Sequence, residues 1–174
     1  MPMRDALPET IDTARLRLRT ARLSDLDDLV AQANDWAVLE PTASLPFPYL
    51  ESHGRGFIER ASHRPDTRPY VIAGRRDDRL LGVVGLYLHA DRPAEIGYWL
   101  GRAHWGQGLA PEAVGALLGA AGAIGLSPIR ARVLAQNAGS IRVLEKCGFA
   151  VIEHTHSVVE RHRGKPLLIL EWPR

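Results

Sequence analysis

The stretch that decides the fold of this chain runs Glu95-Ile-Gly-Tyr-Trp-Leu-Gly-Arg-Ala-His-Trp-Gly-Gln-Gly-Leu-Ala-Pro-Glu-Ala-Val114. It predicts a strand, then a glycine-rich turn, then a long apolar helix. Gly106 and Gly108 allow backbone angles that other residues avoid, and they let a ligand come close to the main chain. The first turn of the helix adds unpaired N–H groups and the positive end of the helix dipole. The stretch therefore predicts an anion site suited to a pyrophosphate, although Gly-x-Gly alone is also typical of a tight strand-to-helix turn.

A second motif lies one predicted strand further on and reads Asn137-Ala-Gly-Ser-Ile-Arg-Val-Leu-Glu-Lys-Cys-Gly-Phe149. The two motifs, in this order, resemble the GNAT superfamily of N-acetyltransferases, and the opening Thr13-Ala-Arg-Leu-Arg-Leu-Arg19 resembles its branch that acetylates ribosomal-protein N-termini. The resemblance covers roughly residues 10–172, and two linked motifs are far more specific than either one. It implies an α/β (α+β) fold with a mixed, mostly antiparallel central sheet, a splayed strand pair and flanking helices.

Composition predicts one domain over residues 1–174, because 45% hydrophobic and 24% charged residues are typical of an ordinary globular protein of this length. A net charge of +2 gives little support for nucleic-acid binding. No apolar run is long enough to span a bilayer, and the N-terminus lacks a signal-peptide pattern. The single cysteine, Cys147, excludes an internal disulfide and is typical of a reducing compartment. We therefore expect a cytoplasmic protein that binds neither nucleic acid nor membrane, as a monomer or a homodimer.

Hydrophobic periodicity and turn residues predict the other elements of the chain. Ser24 is placed to cap the first helix, and Pro41, Pro46 and Pro48 exclude a continuous helix between the first and the second. Gly148 is placed at the left-handed position that ends the last helix. Strands are expected at residues 14–20, 70–73, 80–88, 95–100, 129–135, 149–155 and 166–172, and helices at about 24–34, 50–61, 108–125 and 140–147.

The resemblance implies which residues hold acetyl-CoA. The pyrophosphate is expected on the backbone N–H groups of Gly106, Gln107, Gly108, Leu109 and Ala110. Backbone groups of Tyr98, Trp99 and Leu100 are expected to pair with the pantetheine arm by strand addition. Without the resemblance, Tyr98 and Trp99 would be interpreted only as aromatic residues of a strand. Trp105 stands where the family often has Gln or Arg, so any contact it makes would be stacking or packing.

Asn137 and Ser140 are both residue types that favour helix caps and turns. The resemblance implies more: that the Asn137 side chain bonds the cofactor arm and that Ser140 is the donor near the thiolate. Many relatives carry a general-acid Tyr four residues beyond this Ser, and here that position is Leu144. Ser140 or a water must therefore serve, if an acid is needed.

Glu95 is the first candidate for the general base, since it begins the strand beside the splayed pair; the alternative is a solvent-facing strand charge. Glu40 and Glu51 are rivals, because residues 34–62 are expected to form the wall of the acceptor site. Within that segment, Trp36, Glu40 and Tyr49 are the predicted acceptor-binding residues, although aromatics near proline are also typical of loop anchors.

The seven histidines are scattered and lack partners at ligand spacing, so we expect no metal. The resulting expectation is an N-acetyltransferase that moves the acetyl group of acetyl-CoA to a primary amine through a ternary complex. The acceptor is a protein N-terminus or a small amine such as an amino acid, a polyamine or a drug. A non-catalytic acyl-CoA-binding module is the alternative from another class, and nucleic-acid binding, suggested only by the pI of 9.0, is the least favoured.

Overall fold

The computed structural model of the chain describes residues 3–173. Its strands are β1 (Thr10–Asp12), β2 (Leu16–Arg19), β3 (Thr67–Gly74), β4 (Leu80–Tyr87), β5 (Ala94–Leu100), β6 (Ile129–Leu134), β7 (Ala150–His156) and β8 (Pro166–Trp172). Its α-helices are α1 (Met3–Ala6), α2 (Leu26–Ala33), α3 (Trp36–Leu39), α4 (Glu51–Ala61), α5 (Leu109–Ala123) and α6 (Ala138–Lys146). The eight strands form one sheet in the order β1-β2-β3-β4-β5-β6-β8-β7.

The sheet separates two hydrophobic cores, one on each face. Because successive strand side chains point to opposite faces, Ile96 and Leu100 of β5 enter the larger core with α5, while Trp99 packs against the smaller core. Leu29 of α2 and Ala61 of α4 belong to that smaller core. The two faces of β5 therefore serve two different layers of the molecule.

The strands β5 and β6 form the only parallel pair in the described part of the sheet, and they pair over only two residues each. Their paired residues are Ala94 with Ile129 and Glu95 with Arg130. On its other side β5 pairs with β4 along its length, from Gly82 opposite Leu100 to Tyr87 opposite Glu95. Beyond Glu95, β5 therefore follows β4 and leaves β6, which opens a V-shaped gap in the sheet. The mixed, mostly antiparallel sheet with a splayed strand pair is confirmed.

The helix α4 forms although it contains two glycines, which are poor helix formers. A Cβ atom added at Gly54 would lie 2.7 Å from Cδ1 of Leu26. Gly54 therefore permits the close packing of α4 on α2, and this tertiary contact compensates for the weak helix propensity.

The predicted Ser24 cap is wrong. A 3₁₀ turn over Leu23–Asp25 precedes α2; its backbone bond runs from the Asp25 N–H to the Arg22 carbonyl at 2.9 Å, and the side-chain cap runs from the Arg22 N–H to the Asp25 carboxylate at 2.7 Å. Asp25 takes this role because its carboxylate is already held by a buried arginine, Arg19. The short elements α1, β1 and α3 were not predicted, since three or four residues carry too little periodicity.

The other predicted helices and strands are confirmed, with ends that differ by up to three residues. Gly148, at φ 93°, occupies the left-handed position after α6 as predicted. No helix within residues 3–173 is long and apolar enough to cross a membrane.

Candidate active site

The glycine-rich turn between β5 and α5 has the geometry of an anion site. Gly106 and Gly108 lie at φ 73° and 74°, in the left-handed region, and Gly108 is the N-cap of α5. A Cβ atom at Gly106 would meet no neighbour within 4 Å, so the backbone angle rather than crowding requires glycine there. The N–H groups of Leu109 and Ala110 begin the helix and have no partner within it. The turn therefore presents donors and open space suited to a phosphate group.

A carboxylate in the first turn of α5 ties this turn to the start of β2. Glu112 Oε1 accepts hydrogen bonds from the Thr13 hydroxyl at 2.6 Å and the Arg15 N–H at 2.9 Å. Arg15 Nε donates to Glu112 Oε2 at 2.7 Å, and Arg15 Nη1 donates to the Gln107 carbonyl at 2.8 Å. Burial alone would raise the pKa of Glu112, but the hydrogen bonds from Thr13 and Arg15 together hold that pKa below its ordinary value. The conformation of the turn is thus fixed from outside the turn.

Trp105 precedes the turn and is bound through its indole nitrogen. Nε1 donates to the Leu100 carbonyl at 2.9 Å, and 46% of the residue remains exposed. Trp105 is therefore not a buried core residue, and its exposed ring leaves a surface on which a ligand can stack.

A cavity of about 1400 Å³ extends from the turn, through the gap between β5 and β6, to α4. Most of the site residues predicted from sequence line it: Tyr49, Glu95, Tyr98, Trp99, Leu100, Trp105, Gly106, Gly108, Leu109, Ala110, Asn137 and Ser140. Gln107, Trp36 and Glu40 lie outside this lining. The structure therefore brings the predicted base, donor and turn together around one space.

Glu95 is the last β5 residue that pairs with β6, and its side chain lies on the face opposite Ile96. Glu95 Oε1 accepts a hydrogen bond from Arg132 Nε at 3.2 Å. The Glu95 side chain is about one-fifth exposed and lies at the point where the gap opens. A carboxylate placed here can accept a proton from a group held in the cavity.

Asn137 and Ser140 lie at the start of α6, on the other side of the gap. Asn137 is the N-cap, and its Oδ1 accepts from the Ser140 N–H at 3.1 Å. The helix-cap interpretation of Asn137 is therefore confirmed, and its amide NH₂ group has no protein partner within residues 3–173. The Ser140 hydroxyl lies 2.7 Å from the Tyr98 hydroxyl of β5. Burial is the main cause that raises the pKa of Tyr98 to about 12.

The predicted acceptor-binding residues lie in three different environments. Tyr49 is buried and lines the cavity, and burial raises its pKa. Trp36 is half exposed and packs edge-on against Phe47, with ring centroids 5.2 Å apart. Glu40 accepts from Lys165 Nζ at 3.1 Å, outside the cavity lining. The rival base Glu51 is exposed and pairs with Arg55 of the same helix.

The loop between β7 and β8 holds part of the predicted acceptor wall, residues 39–45, in place. Arg161 donates from its guanidinium group to the carbonyls of Leu39, Thr42 and Leu45. The buried His162 contacts the Glu40 carbonyl through Nε2. The loop over residues 39–45 is thus fastened by residues more than 100 positions further along the chain.

Three contributors to the site were not predicted: the Tyr98 hydroxyl, Arg132 and Arg161. Tyr98 was predicted only for its backbone. Each makes its contact across a large distance in sequence, 42 residues for Tyr98 with Ser140 and 37 for Arg132 with Glu95. No local pattern marks such pairs. Within residues 3–173, no group of three or more His, Cys, Asp or Glu side chains is arranged to hold a metal ion.

Comparisons with known proteins identify the family of the chain. The acetyltransferase (GNAT) domain family matches residues 15–150. The "Uncharacterized N-acetyltransferase p20" of Bacillus licheniformis is 33% identical over 147 residues, which cover 81% of this chain and 82% of that protein.

Two solved structures share the fold at low sequence identity. RimJ of Mycobacterium smegmatis, in complex with CoA-disulfide, has a TM-score of 0.80 at 22% identity, covering 95% of this chain and 88% of that one. The spermidine N-acetyltransferase of Vibrio cholerae, in complex with CoA and spermine, has a TM-score of 0.77 at 20% identity, covering 91% and 95%.

The chain belongs to the GNAT family of acetyltransferases. It is an acetyl-CoA-dependent N-acetyltransferase, and acetyl-CoA is its co-substrate. The residues present fit that group: two glycines in the left-handed region and the free N–H groups of α5 suit a pyrophosphate, and the gap between β5 and β6 leaves backbone groups unpaired.

Proposed function

We propose that this enzyme transfers the acetyl group directly from acetyl-CoA to a primary amine held beside Glu95, with both substrates bound at once. The observation that carries the proposal is the position of Glu95, at the opening of the gap and on the cavity that reaches both the glycine-rich turn and α4. A direct transfer needs this arrangement, because donor and acceptor must meet in one space.

The roles of the residues follow from their positions. Acetyl-CoA supplies an activated thioester when bound. The turn over residues 106–110 binds the pyrophosphate, Asn137 and the backbone of residues 98–100 orient the arm, and Trp105 offers a stacking surface. Glu95 accepts a proton from the incoming amine, directly or through a water. Ser140 donates a hydrogen bond toward the leaving sulfur.

We propose a protein N-terminus as the acceptor, as the resemblance to the ribosomal-protein branch indicates. Charge argues against the polyamine alternative. Arg130 and Arg132 alternate with core residues of β6 and so lie on the Glu95 face, where Arg60 and Arg64 of the α4 side also line the cavity. Glu95 and Glu153 are the carboxylates among the lining residues. With Arg142 and Lys146 of α6, which also line the cavity, six cationic side chains face two glutamates, and they repel a polycation more than a peptide with one ammonium group.

An acceptor screen tests this proposal. The enzyme is incubated with acetyl-CoA and free-N-terminal peptides, the same peptides with blocked N-termini, small primary amines and spermidine, and thiol release and acceptor mass are recorded. Thiol release with the free peptides, and none with the blocked ones, supports the proposal. Thiol release with small amines alone would show that the acceptor is a small amine and not a protein N-terminus. CoA binding without acceptor-dependent release for any amine would support the acyl-CoA-binding module instead.

The place of action is part of the proposal. We propose the cytoplasm, since the one cysteine in the sequence is typical of a reducing compartment. Action as a monomer or homodimer, without nucleic acid, remains a prediction that solution scattering and salt-dependent binding measurements test.

A further inference from the structure

The hydroxyl groups of Tyr98, on β5, and Ser140, on α6, form a contact across the gap. Tyr98 Oη lies 2.7 Å from Ser140 Oγ and 3.3 Å from the Ser140 carbonyl oxygen. Tyr98 packs against the larger core, so its ring is held from one side by apolar contacts. The contact joins the strand expected to flank the arm of acetyl-CoA to the helix that carries the predicted donor.

Both Ser140 oxygens near the phenol can accept its single proton, and the carbonyl can only accept. The 2.7 Å contact with Oγ is shorter than the 3.3 Å contact with the carbonyl, which favours Oγ as the acceptor of that proton. A phenol is also a stronger acid, and hence a better donor, than an aliphatic hydroxyl. When Tyr98 donates to Ser140 Oγ, the Ser140 hydroxyl proton has no acceptor among residues 3–173. That proton is then available to a ligand in the cavity that Ser140 lines.

We propose that Tyr98 is a positioning residue that donates to Ser140 Oγ and thereby aims the Ser140 hydroxyl proton at the leaving sulfur of acetyl-CoA. The inference rests on the proposed function. Four residues beyond Ser140, on the same helix, the sequence has Leu144. Leu144 is fully buried in the core here, so α6 supplies no hydroxyl at that point.

This relay of two hydroxyl groups, Tyr98 and Ser140, acts through hydrogen bonds and not through net proton transfer from Tyr98. In the transfer, the amine nitrogen forms a bond to the acetyl carbon, the C–S bond breaks, and its electron pair remains on sulfur. The amine proton passes to Glu95, and the sulfur takes a proton from solvent. The pKa of Tyr98, raised to about 12, lies above the value of about 8.5 for a thiol, so Tyr98 keeps its proton while the thiolate forms. Linked hydrogen bonds strengthen one another, which makes Ser140 a better donor than it would be alone.

Three variants test the relay: Tyr98→Phe, Ser140→Ala and the double variant. A hydrogen bond to a charged group gives an expected loss in kcat of about ten- to hundredfold for Ser140→Ala, and Tyr98→Phe should cost less, about three- to tenfold. Because the two hydroxyls act in series, the double variant should lose no more than Ser140→Ala alone. Losses that multiply would overturn the relay, and so would a Tyr98→Phe enzyme with unchanged kcat.

A matched control removes a buried phenol elsewhere. Tyr70 is fully buried and does not line the cavity. Its hydroxyl donates a hydrogen bond to the Pro8 carbonyl. Tyr70→Phe should lower the melting temperature and leave kcat unchanged at a temperature where the protein is folded. A kcat loss equal to that of Tyr98→Phe would assign the effect to general loosening of the core.

A second readout separates the relay from the proposed function. The thiolate absorbance of bound CoA is titrated in the wild type and in Tyr98→Phe, with no acceptor present. The relay stabilises the thiolate, so bound CoA should ionise at higher pH in Tyr98→Phe than in the wild type. Identical titrations would refute the relay even if acetyl transfer proceeds, whereas a failed acceptor screen would refute the proposed function and leave this titration valid.

Discussion

Arg132 Nε lies 3.2 Å from Glu95 Oε1, and it reaches back across the gap from two residues beyond the last β5–β6 pair, Glu95 with Arg130. The contact with Arg132 fixes the orientation of the carboxylate at the opening of the gap. Glu95 therefore has a defined position before any substrate binds, and its backbone is held by both neighbouring strands.

Glu95→Gln removes the proton acceptor while it preserves volume. We expect kcat at neutral pH to fall by about 10²–10⁴-fold, with little change in acetyl-CoA affinity. The loss should shrink at high pH, where more of the amine is already deprotonated. Glu40→Gln and Glu51→Gln provide the comparison, because both carboxylates lie outside the cavity lining. An unchanged pH–rate profile in Glu95→Gln would move the base to one of these residues or to solvent.

Arg132→Gln should have a smaller effect on kcat than Glu95→Gln. The arginine side chain is nearly half exposed, so its ion pair stabilises the protein little. A pair of this kind contributes up to about 1 kcal/mol, so the loss in kcat/KM should be no more than about fivefold even where all of that free energy serves to orient the carboxylate in the transition state. Steady-state kinetics at low and high salt measure it, and the difference between wild type and variant should narrow as salt screens the pair. A loss as large as that of Glu95→Gln would show that Arg132 itself takes part in the reaction.

Gly108→Val should weaken CoA binding strongly, since the residue lies at φ 74° in the turn and a Cβ there would contact Arg15, whose guanidinium group holds the Gln107 carbonyl. The left-handed backbone angle alone should cost about 1–2 kcal/mol in the free energy of unfolding. Gly119→Ala is the matched control: Gly119 lies exposed within α5, and a Cβ there would meet nothing within 4 Å. That change should stabilise the protein and preserve CoA affinity. Calorimetry that shows normal CoA affinity in a folded Gly108→Val protein would contradict the assignment.

The pH dependence of stability should report on Glu112. Its pKa is lower in the folded protein than in the unfolded chain, so the stabilisation is fully present above the ordinary carboxyl pKa of about 4.3. It is lost as the pH falls through the folded-state value. Glu112→Gln should therefore be less stable than the wild type at neutral pH, and its stability should decline less steeply in acid. Parallel curves for the two proteins in urea titrations from pH 3 to pH 7 would be the contrary result.

Loss of the buried ion pair between Arg19 and Asp25 should lower the free energy of unfolding more than loss of an ion pair at the surface. Their side chains are 4% and 5% exposed and form two hydrogen bonds, at 2.9 and 2.8 Å. Asp25→Ala removes both hydrogen bonds but leaves Asp78 Oδ1 on Arg19 Nε at 2.8 Å, so we expect a loss of about 3 kcal/mol in the free energy of unfolding, the low end for a broken buried pair. Asp12→Ala breaks the pair of Asp12 with Arg17, which lies at the surface, and should change the urea midpoint little. Equal midpoints for the two variants would refute the ranking.

Local patterns in the sequence predicted much of this protein. The alternating residues of β5 and the apolar helix after Gly108 define neighbouring elements, and such elements depend on residues close in sequence. The splayed strands came from the resemblance, because no local pattern shows where two strands part. Sequence reasoning was wrong at Ser24, where a buried arginine decides which side chain closes the turn.

The sequence by itself determined the order of the longer strands and helices, the left-handed glycines Gly106, Gly108 and Gly148, and the membership in an acetyltransferase family, because these depend on residue types at fixed spacings. Only the tertiary structure decided that Arg132 meets Glu95, that the Tyr98 phenol meets Ser140, and that Arg161 fastens the loop over residues 39–45. Those contacts join residues from 37 to 122 positions apart. The sheet order creates them: it places β6 beside β5 and inserts β8 between β6 and β7, and no periodicity along the chain records which strands become neighbours.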